Sequence, residues 1–330
     1  MNHKRNHIAC RIVGMLGLCL TALALGFTAF SHLVYHRSAR ATAVEWMLRA
    51  QKQDFMTDRD KAVAFLEACS REEDQPYSLP AHRYASSVSI ETFSTHPVLT
   101  FQGSDAPSAT VLYLHGGCYV MEITEYQVDF CDTLSAELNA SVLAPLYPLA
   151  PNHTCVETYE FLEELYLSLL EREGSVTLIG DSAGGGLAAG FCEYLAAQGY
   201  PQPARLVLIS PWVDATMSGK NYDAYEKADP MLGVKGLIVM GESWAGDLDP
   251  GDYRLSPMFG TVDTLPETAI FVGTRELLYP DVTAFYEKLL ERQVPVTLYI
   301  GEGMNHIYPF YAIPEAITAM RQIVSFLSGA

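Results

Sequence analysis

The sequence has little charge and few positive charges. Of its 330 residues, 18% are charged and 49% are hydrophobic. This composition excludes an intrinsically disordered chain, because disorder requires few apolar residues and a high density of charge. The 21 basic residues stand against 39 acidic ones, which gives a formal net charge of −18. A surface of that sign repels phosphate backbones, so we expect no nucleic-acid partner.

Cysteines are also few and show no pairing pattern. The seven cysteines are scattered and odd in number, which is not typical of a disulfide framework or of a zinc site. The Gly184-Gly185-Gly186 run lacks the lysine of a phosphate-binding loop. We therefore expect no metal and no cofactor.

One long run without charge lies near the N-terminus, from Ile12 to Phe30. It is long enough to cross most of a bilayer as a helix. The small residues of Ala22-Leu23-Ala24 also fit the cleavage site of a secretory signal peptide. We expect residues 1–37 to be a single-pass membrane anchor, with secretion after signal cleavage as the alternative, and 38–330 to form the main domain.

The rest of the chain alternates between β-like and helical runs. The β-like runs are Val88–Phe93, Thr110–Leu114, Ser141–Leu146, Val176–Ile179, Arg205–Ile209, Ala269–Val272 and Val296–Ile300. Apolar residues at helical spacing occupy Tyr126–Leu138, Val156–Leu170, Gly185–Ala197, Val282–Glu291 and Pro314–Phe326. Several β-like runs are continuously apolar, as expected for strands covered on both faces. This order predicts an α/β fold with a mostly parallel central sheet and helices on both faces.

Two segments lack the alternation. Residues 41–80 are helical in pattern without a strand signal, and residues 215–257 contain loop signals around one apolar helical piece. We interpret the second segment as an insertion over the sheet. No shift in composition divides 80–330, which predicts one domain with a cap.

The strongest local motif is Gly180-Asp181-Ser182-Ala183-Gly184, between a β-like run and a helical one. Small residues on both sides of Ser182 allow a strand and a helix to approach each other at a sharp turn. This context predicts a nucleophilic serine whose negative charge in the reaction is favoured by the helix N-terminus.

A second motif, His115-Gly116-Gly117-Cys118, follows the run Thr110–Leu114. Glycines directly after a strand allow main-chain N–H groups to approach an oxyanion. His115 is a poor candidate for the base, because it precedes Ser182 and the base follows the serine in this type of strand–turn–helix site. We expect His115 to hold the loop in shape instead.

His306 is the only histidine after Ser182, which makes it the predicted base. The acid that orients it is expected after the preceding β-like run, where Glu276 and Asp281 both lie. We favour Glu276 because it is nearer the end of that run, and we expect Asp281 to be a charge at a helix N-terminus.

These motifs together resemble the hormone-sensitive-lipase-like family of α/β-hydrolases. The resemblance runs from about Val88 to the C-terminus. Besides the residues above, it rests on Tyr147-Pro148-Leu149-Ala150-Pro151, Ser210-Pro211-Trp212-Val213-Asp214 and Gly273-Thr274-Arg275-Glu276. The resemblance implies an α/β-hydrolase fold, a cap made of 41–80 and 215–257, and the triad Ser182, Glu276 and His306. It also implies an oxyanion hole formed by the N–H groups of Gly116, Gly117 and Ala183.

The sequence departs from the family pattern at two positions. Cys118 replaces the usual third glycine, and the triad acid is Glu276 where aspartate is commoner. We expect Cys118 and Tyr119 to border the substrate pocket, with Cys118 narrowing its acyl side.

The resulting hypothesis is a serine carboxylic-ester hydrolase that forms an acyl-enzyme on small to medium acyl esters. Two alternatives stay open at this point. One is an amidase or peptidase with the same triad, since both reactions use the same groups. The other is a catalytically silent binding protein tethered to a membrane, since fold does not fix function.

Overall fold

The computed structural model describes residues 20–72 and 77–329. Eight strands form one sheet in the order β1-β2-β4-β3-β5-β6-β7-β8. The strands are β1 Ser87–Phe93, β2 His96–Gln102, β3 Ala109–Leu114, β4 Ala140–Pro145, β5 Thr177–Asp181, β6 Leu206–Ile209, β7 Thr268–Gly273 and β8 Val296–Gly301. Strands β3 to β8 pair in parallel, whereas β1 and β2 are antiparallel. The predicted mostly parallel sheet is confirmed.

Helices cover both faces of this sheet. The helices that do so are α4 Glu125–Leu138, α5 Cys155–Glu173, α6 Ser182–Gln198, α9 Tyr279–Glu291 and α10 Pro314–Ser328. The other helices of the described residues are α1 (20–35), α2 Ala39–Gln51, α3 Arg59–Glu72, α7 Tyr222–Ala228 and α8 Val234–Ala245. Successive residues of β5 point to opposite faces, as the two-residue period of a strand requires. Leu178 joins the core under α5, α6 and α9, and Ile179 joins the core under α4 and α10. Burial on both faces explains why this strand reads as a continuous apolar run.

Strand β2 was missed by the sequence prediction. It forms a hairpin with β1, in which Ser87 pairs with Gln102 and Phe93 with His96. The turn places Ser94 at φ 52° and contains no glycine or asparagine, so the usual hairpin signal is absent. Pro97 lies within β2, and proline argues against a strand in a sequence pattern.

The predicted membrane anchor is not confirmed. The described part of helix α1 covers 20–35. Within the residues that the structure describes, no helix is long and apolar enough to cross a membrane. Residues 12–19 of the predicted segment lie outside the described part of the chain.

The two segments expected to form a cap lie against each other. Helix α3 packs on α8, and the chain at Met56 approaches α8 so closely that a side chain at Gly236 would meet the Met56 Cα at 2.7 Å. Residues 73–76 of the first segment lie outside the described residues. Both segments contribute side chains to a cavity above the carboxyl ends of the parallel strands.

Candidate active site

Three loops at the carboxyl ends of parallel strands bring Ser182, Glu276 and His306 together. Ser182 follows β5, Glu276 follows β7, and His306 follows β8. His306 Nε2 lies 2.9 Å from Ser182 Oγ, and His306 Nδ1 lies 3.4 Å from Glu276 Oε1. The imidazole therefore contacts the hydroxyl with one ring nitrogen and the carboxylate with the other.

Ser182 lies at the sharp junction of β5 and α6, where its φ is 52°. The glycines of the motif permit this turn because the chain segments nearly touch. A Cβ at Gly180 would meet the Gly184 oxygen at 2.1 Å, and a Cβ at Gly184 would meet the Leu114 oxygen at 2.1 Å. The spacing of small residues in the sequence thus has the steric cause that was predicted.

The Glu276 carboxylate is fixed on both of its oxygens. Oε2 accepts hydrogen bonds from Ser210 Oγ at 2.8 Å and from Gly273 N at 3.0 Å. His306 and Glu276 are both buried. Burial alone lowers the pKa of His306, but the hydrogen bond and the charge of Glu276 outweigh burial and raise this pKa above its ordinary value.

Asp281, the alternative acid, lies elsewhere. It belongs to the first turn of α9, and its Oδ2 accepts a hydrogen bond of 2.5 Å from the Tyr222 hydroxyl. Burial raises the pKa of Asp281 to about 6. The carboxylate that contacts His306 is therefore that of Glu276.

The glycine loop after β3 differs from the arrangement implied by the family resemblance. Gly116 N donates to Asp181 Oδ1 at 2.9 Å, so this N–H is not directed at a bound oxyanion. Asp181 Oδ1 also accepts from the Tyr113 hydroxyl at 2.5 Å. Burial raises the pKa of Asp181 to about 6, against the effect of these hydrogen bonds.

Three other main-chain N–H groups belong to residues near Ser182: Gly117 and Cys118 line the same cavity, and Ala183 follows Ser182 in the chain. Gly117 and Cys118 have φ values of 125° and 56°, and Ala183 is the second residue of α6. Among the described residues, none of these three N–H groups donates to a protein oxygen. The free donors are thus at Gly117, Cys118 and Ala183, with Cys118 in place of the predicted Gly116.

His115 shapes this loop and is not placed to act as a base. It is buried and stacks on Tyr147 with ring centroids 4.4 Å apart. Its Nδ1 lies 2.7 Å from the Gly116 oxygen, and burial lowers its pKa to about 4. The neutral ring therefore fills the space behind the glycines.

A cavity of about 290 Å³ opens in front of Ser182. Its walls are mostly apolar and come from the glycine loop, from both segments of the expected cap and from the base loop. They include Leu48, Phe55, Met56, Cys118, Met121, Met231, Leu232, Ser182, His306 and Ile307. Cys118 borders the cavity as predicted, but Tyr119 turns away and stacks on Trp244 at a centroid distance of 3.7 Å.

Two residues around the site were not predicted. Ser210 bridges the acid and base loops, since its Oγ also accepts from Ile307 N at 3.0 Å. Asp229 is buried and accepts from Leu232 N at 2.8 Å and from Leu277 N at 2.7 Å. Their only sequence signals were the Ser210-Pro211 motif and an Asp-Pro loop signal.

The chain is similar to a known protein family and to known hydrolases. The family described as "alpha/beta hydrolase fold" matches residues 111–310. An acetyl-hydrolase of Streptomyces hygroscopicus is 33% identical over 226 residues, which cover 67% of this chain and 76% of that protein. An esterase of Acinetobacter venetianus is 30% identical over 66% of this chain and 74% of its own length.

Solved structures share the fold. The hormone-sensitive-lipase homologue EstE7 from a metagenome library superposes with a TM-score of 0.75 and is 25% identical, covering 88% of this chain and 98% of its own. The chain therefore belongs to the α/β-hydrolase family. Within it, the chain is a carboxylesterase- and lipase-like hydrolase of the hormone-sensitive-lipase-like type.

Proposed function

We propose that the protein hydrolyses carboxylic esters with small to medium acyl chains through an acyl-enzyme on Ser182. The observation that supports this most directly is the 2.9 Å contact between His306 Nε2 and Ser182 Oγ at the wall of an apolar cavity. At this distance a neutral imidazole accepts the hydroxyl proton as Oγ attacks the ester carbonyl. Glu276 accepts the other ring N–H and stabilises the imidazolium that forms.

The attack produces a tetrahedral intermediate whose carbonyl oxygen becomes negative. Three N–H groups, those of Gly117, Cys118 and Ala183, are available to donate to that oxygen. Each such donor contributes roughly 10²–10³ in rate in related chemistry. When the intermediate collapses, the C–O bond to the alcohol breaks and His306 returns its proton to the departing alkoxide.

Water then completes the cycle. His306 takes a proton from the water as its oxygen attacks the acyl carbon, and the proton passes to Ser182 Oγ when the acyl bond breaks. The products are a carboxylic acid and an alcohol, and the enzyme returns to its starting state.

The cavity supports small to medium, uncharged substrates. Its volume of about 290 Å³ is at the lower end for sites that hold a drug-sized ligand. Its lining is mostly apolar, and the formal net charge of −18 disfavours anionic substrates. The names of the two relatives, acetyl-hydrolase and esterase, favour ester over amide cleavage.

We also propose that the two helical segments, 41–80 and 215–257, act as the cap of this cavity, because Leu48, Met56 and Leu232 line it.

The apolar segment 12–30 is proposed as a membrane tether. Leu20, Leu23 and Leu25 of α1 are exposed, which supports it. Release of the full-length protein from membranes by alkaline wash would overturn the tether.

The function is tested with p-nitrophenyl esters of increasing acyl length and with a matched anilide. We expect ester turnover by the full chain and loss of it in Ser182→Ala. Ser135→Ala is the control, because Ser135 is a buried serine that donates only to the Phe101 and Ala140 oxygens. Equal rates in the wild type and Ser182→Ala would overturn the proposal. Faster cleavage of the anilide would make the protein an amidase.

A further inference from the structure

A buried carboxylate outside the triad joins the N-terminal helices to the catalytic loops. Glu45, on α2, is buried and is contacted by three arginines. They are Arg37, Arg49 and Arg275. Arg49 also donates to the Lys227 oxygen of α7. Of the other two arginines, Arg275 belongs to the loop of Glu276 and Arg37 contacts the loop of His306.

Arg275 connects Glu45 to the acid loop. Its Nε and Nη2 donate to the two Glu45 oxygens, each at 3.0 Å, which is the paired geometry that a planar guanidinium prefers. Arg275 immediately precedes Glu276, and its main-chain N donates to the Met304 oxygen at 2.9 Å. A shift of this guanidinium therefore moves the backbone next to the triad acid.

Arg37 connects Glu45 to the base loop. Its Nη2 lies 2.6 Å from Glu45 Oε2, and its Nη1 donates to the Gly303 oxygen at 2.7 Å. Gly303 has φ 68°, and a Cβ there would meet the Tyr35 oxygen at 2.2 Å. The glycine thus lets the chain that leaves α1 lie directly on the loop of His306.

We propose that Glu45 is a positioning residue of the triad, which holds the loops of Glu276 and His306 in register through Arg275 and Arg37. This inference rests on the proposed function of Ser182, Glu276 and His306. It also explains why the two arginines, one after α1 and one before the triad acid, converge on a single carboxylate.

Glu45 is ionised at the pH of any esterase assay. Burial alone raises its pKa, but the Arg275 hydrogen bond and the charge of Arg37 outweigh burial and lower this pKa to about 2. Neutralising Glu45 leaves Arg37 buried without its counter-ion, and an uncompensated buried charge is strongly unfavourable. Arg37 is then expected to move toward solvent and to release the Gly303 oxygen.

The test uses the full chain with Glu45→Gln, which keeps the size of the side chain and removes its charge. The concentration of competent active sites is first measured as the amount of Ser182 that reacts with a fluorophosphonate probe. We expect kcat per labelled site to fall by roughly 10- to 100-fold, since displacements of about 1 Å have effects of that size. KM is expected to change much less than kcat.

Glu315→Gln is the matched control. Glu315 fixes the start of α2 by accepting from Ser38 N at 2.6 Å and from Ser38 Oγ at 2.9 Å. This variant perturbs the attachment of the same helix without touching Arg37 or Arg275, and we expect its kcat per labelled site to match the wild type. An equal fall in both variants would overturn the positioning role of Glu45.

A second variant keeps the inference testable if Glu45→Gln does not fold. Arg275→Gln alters a side chain that is partly exposed, and it is expected to lower kcat per labelled site in the same way. Where both fold, the double variant should lose little more than either single one, because the two groups act together. Wild-type kcat in Glu45→Gln and Arg275→Gln, with Ser182→Ala inactive, would overturn this inference and leave the proposed function intact.

Discussion

Ser210 Oγ donates a hydrogen bond of 2.8 Å to Glu276 Oε2 and at the same time accepts one of 3.0 Å from Ile307 N. One hydroxyl after β6 thereby joins the loop that follows β7 to the loop that follows β8. Because Ile307 is the neighbour of His306, the orientation of the base relative to the acid depends on this serine.

Ser210→Ala is predicted to lower kcat by about tenfold or more. A hydrogen bond to a charged group stabilises the arrangement that it holds by roughly 1.5–3 kcal/mol. Here its removal also leaves Ile307 N without its acceptor. Steady-state kinetics on an aryl ester measures the effect. Ser135→Ala, which removes a buried serine hydroxyl far from the triad, should leave kcat unchanged. Wild-type kcat in Ser210→Ala would contradict the prediction.

The pH dependence of kcat/KM is predicted to follow His306. The protonated ring cannot accept the Ser182 proton, so activity rises as pH increases through the His306 pKa. That pKa is raised, because the Glu276 hydrogen bond and charge outweigh the effect of burial. The midpoint is therefore expected above the ordinary value of 6.5.

Glu276→Gln removes the charge of Glu276, which with its hydrogen bond makes the largest contribution to raising the pKa of His306. The midpoint of the pH profile of this variant is expected to move to lower pH. Its kcat is expected to fall by roughly 10³–10⁴, because the carboxylate no longer fixes the tautomer of the His306 ring. Asp281→Asn is the matched control and should leave the midpoint in place. A midpoint that moves in Asp281→Asn and not in Glu276→Gln would make Asp281 the triad acid.

The proximity of Ser182, Glu276 and His306 was predictable because each residue follows a recognisable strand. The loops after parallel strands meet at one edge of a sheet, so Ser182, Glu276 and His306 are brought together by the order of elements alone. The glycines around Ser182 added a steric signal that involves only neighbouring residues.

Features that depend on side chains from distant elements were not predictable. Gly116 N is bound by Asp181, and this carboxylate is itself held by Tyr113 and Gln127. The contact between Glu45 and Arg275 joins residues 230 positions apart. No spacing rule in a single sequence reports such a pair, and the same holds for the turn of Tyr119 toward Trp244.

Cys118→Gly is predicted to shift the preferred ester toward longer acyl chains. Cys118 lines the cavity at φ 56°, a left-handed conformation that is unfavourable by roughly 1–2 kcal/mol for residues with a Cβ. Relief of this strain offsets the lost burial of the side chain, so the melting temperature should change little. Rates over a series of p-nitrophenyl esters measure the shift.

Cys118→Ala separates the effect of space from that of strain. Alanine retains the Cβ in the left-handed conformation but removes the sulfur, so an intermediate chain-length preference is expected. The same preference in the wild type and in both variants would mean that Cys118 does not limit the acyl group.

Gly184→Ala is predicted to destabilise the fold by about 2 kcal/mol or more, because its Cβ would lie 2.1 Å from the Leu114 oxygen and 2.4 Å from the His115 oxygen. Gly199→Ala is the control. Gly199 has φ 74° and open space around it, so only the left-handed conformational penalty of roughly 1–2 kcal/mol applies. Denaturant unfolding compares the two. A larger loss of stability in Gly199→Ala would contradict the steric account.

The proposed reaction depends on activation of the Ser182 hydroxyl by His306. Its most direct test is the site and rate of labelling by a fluorophosphonate, determined by mass spectrometry of peptides from the wild type and from His306→Ala. We expect a single adduct on Ser182 in the wild type and labelling slower by orders of magnitude in folded His306→Ala. An adduct on another residue, or equal labelling rates in the two proteins, would contradict it.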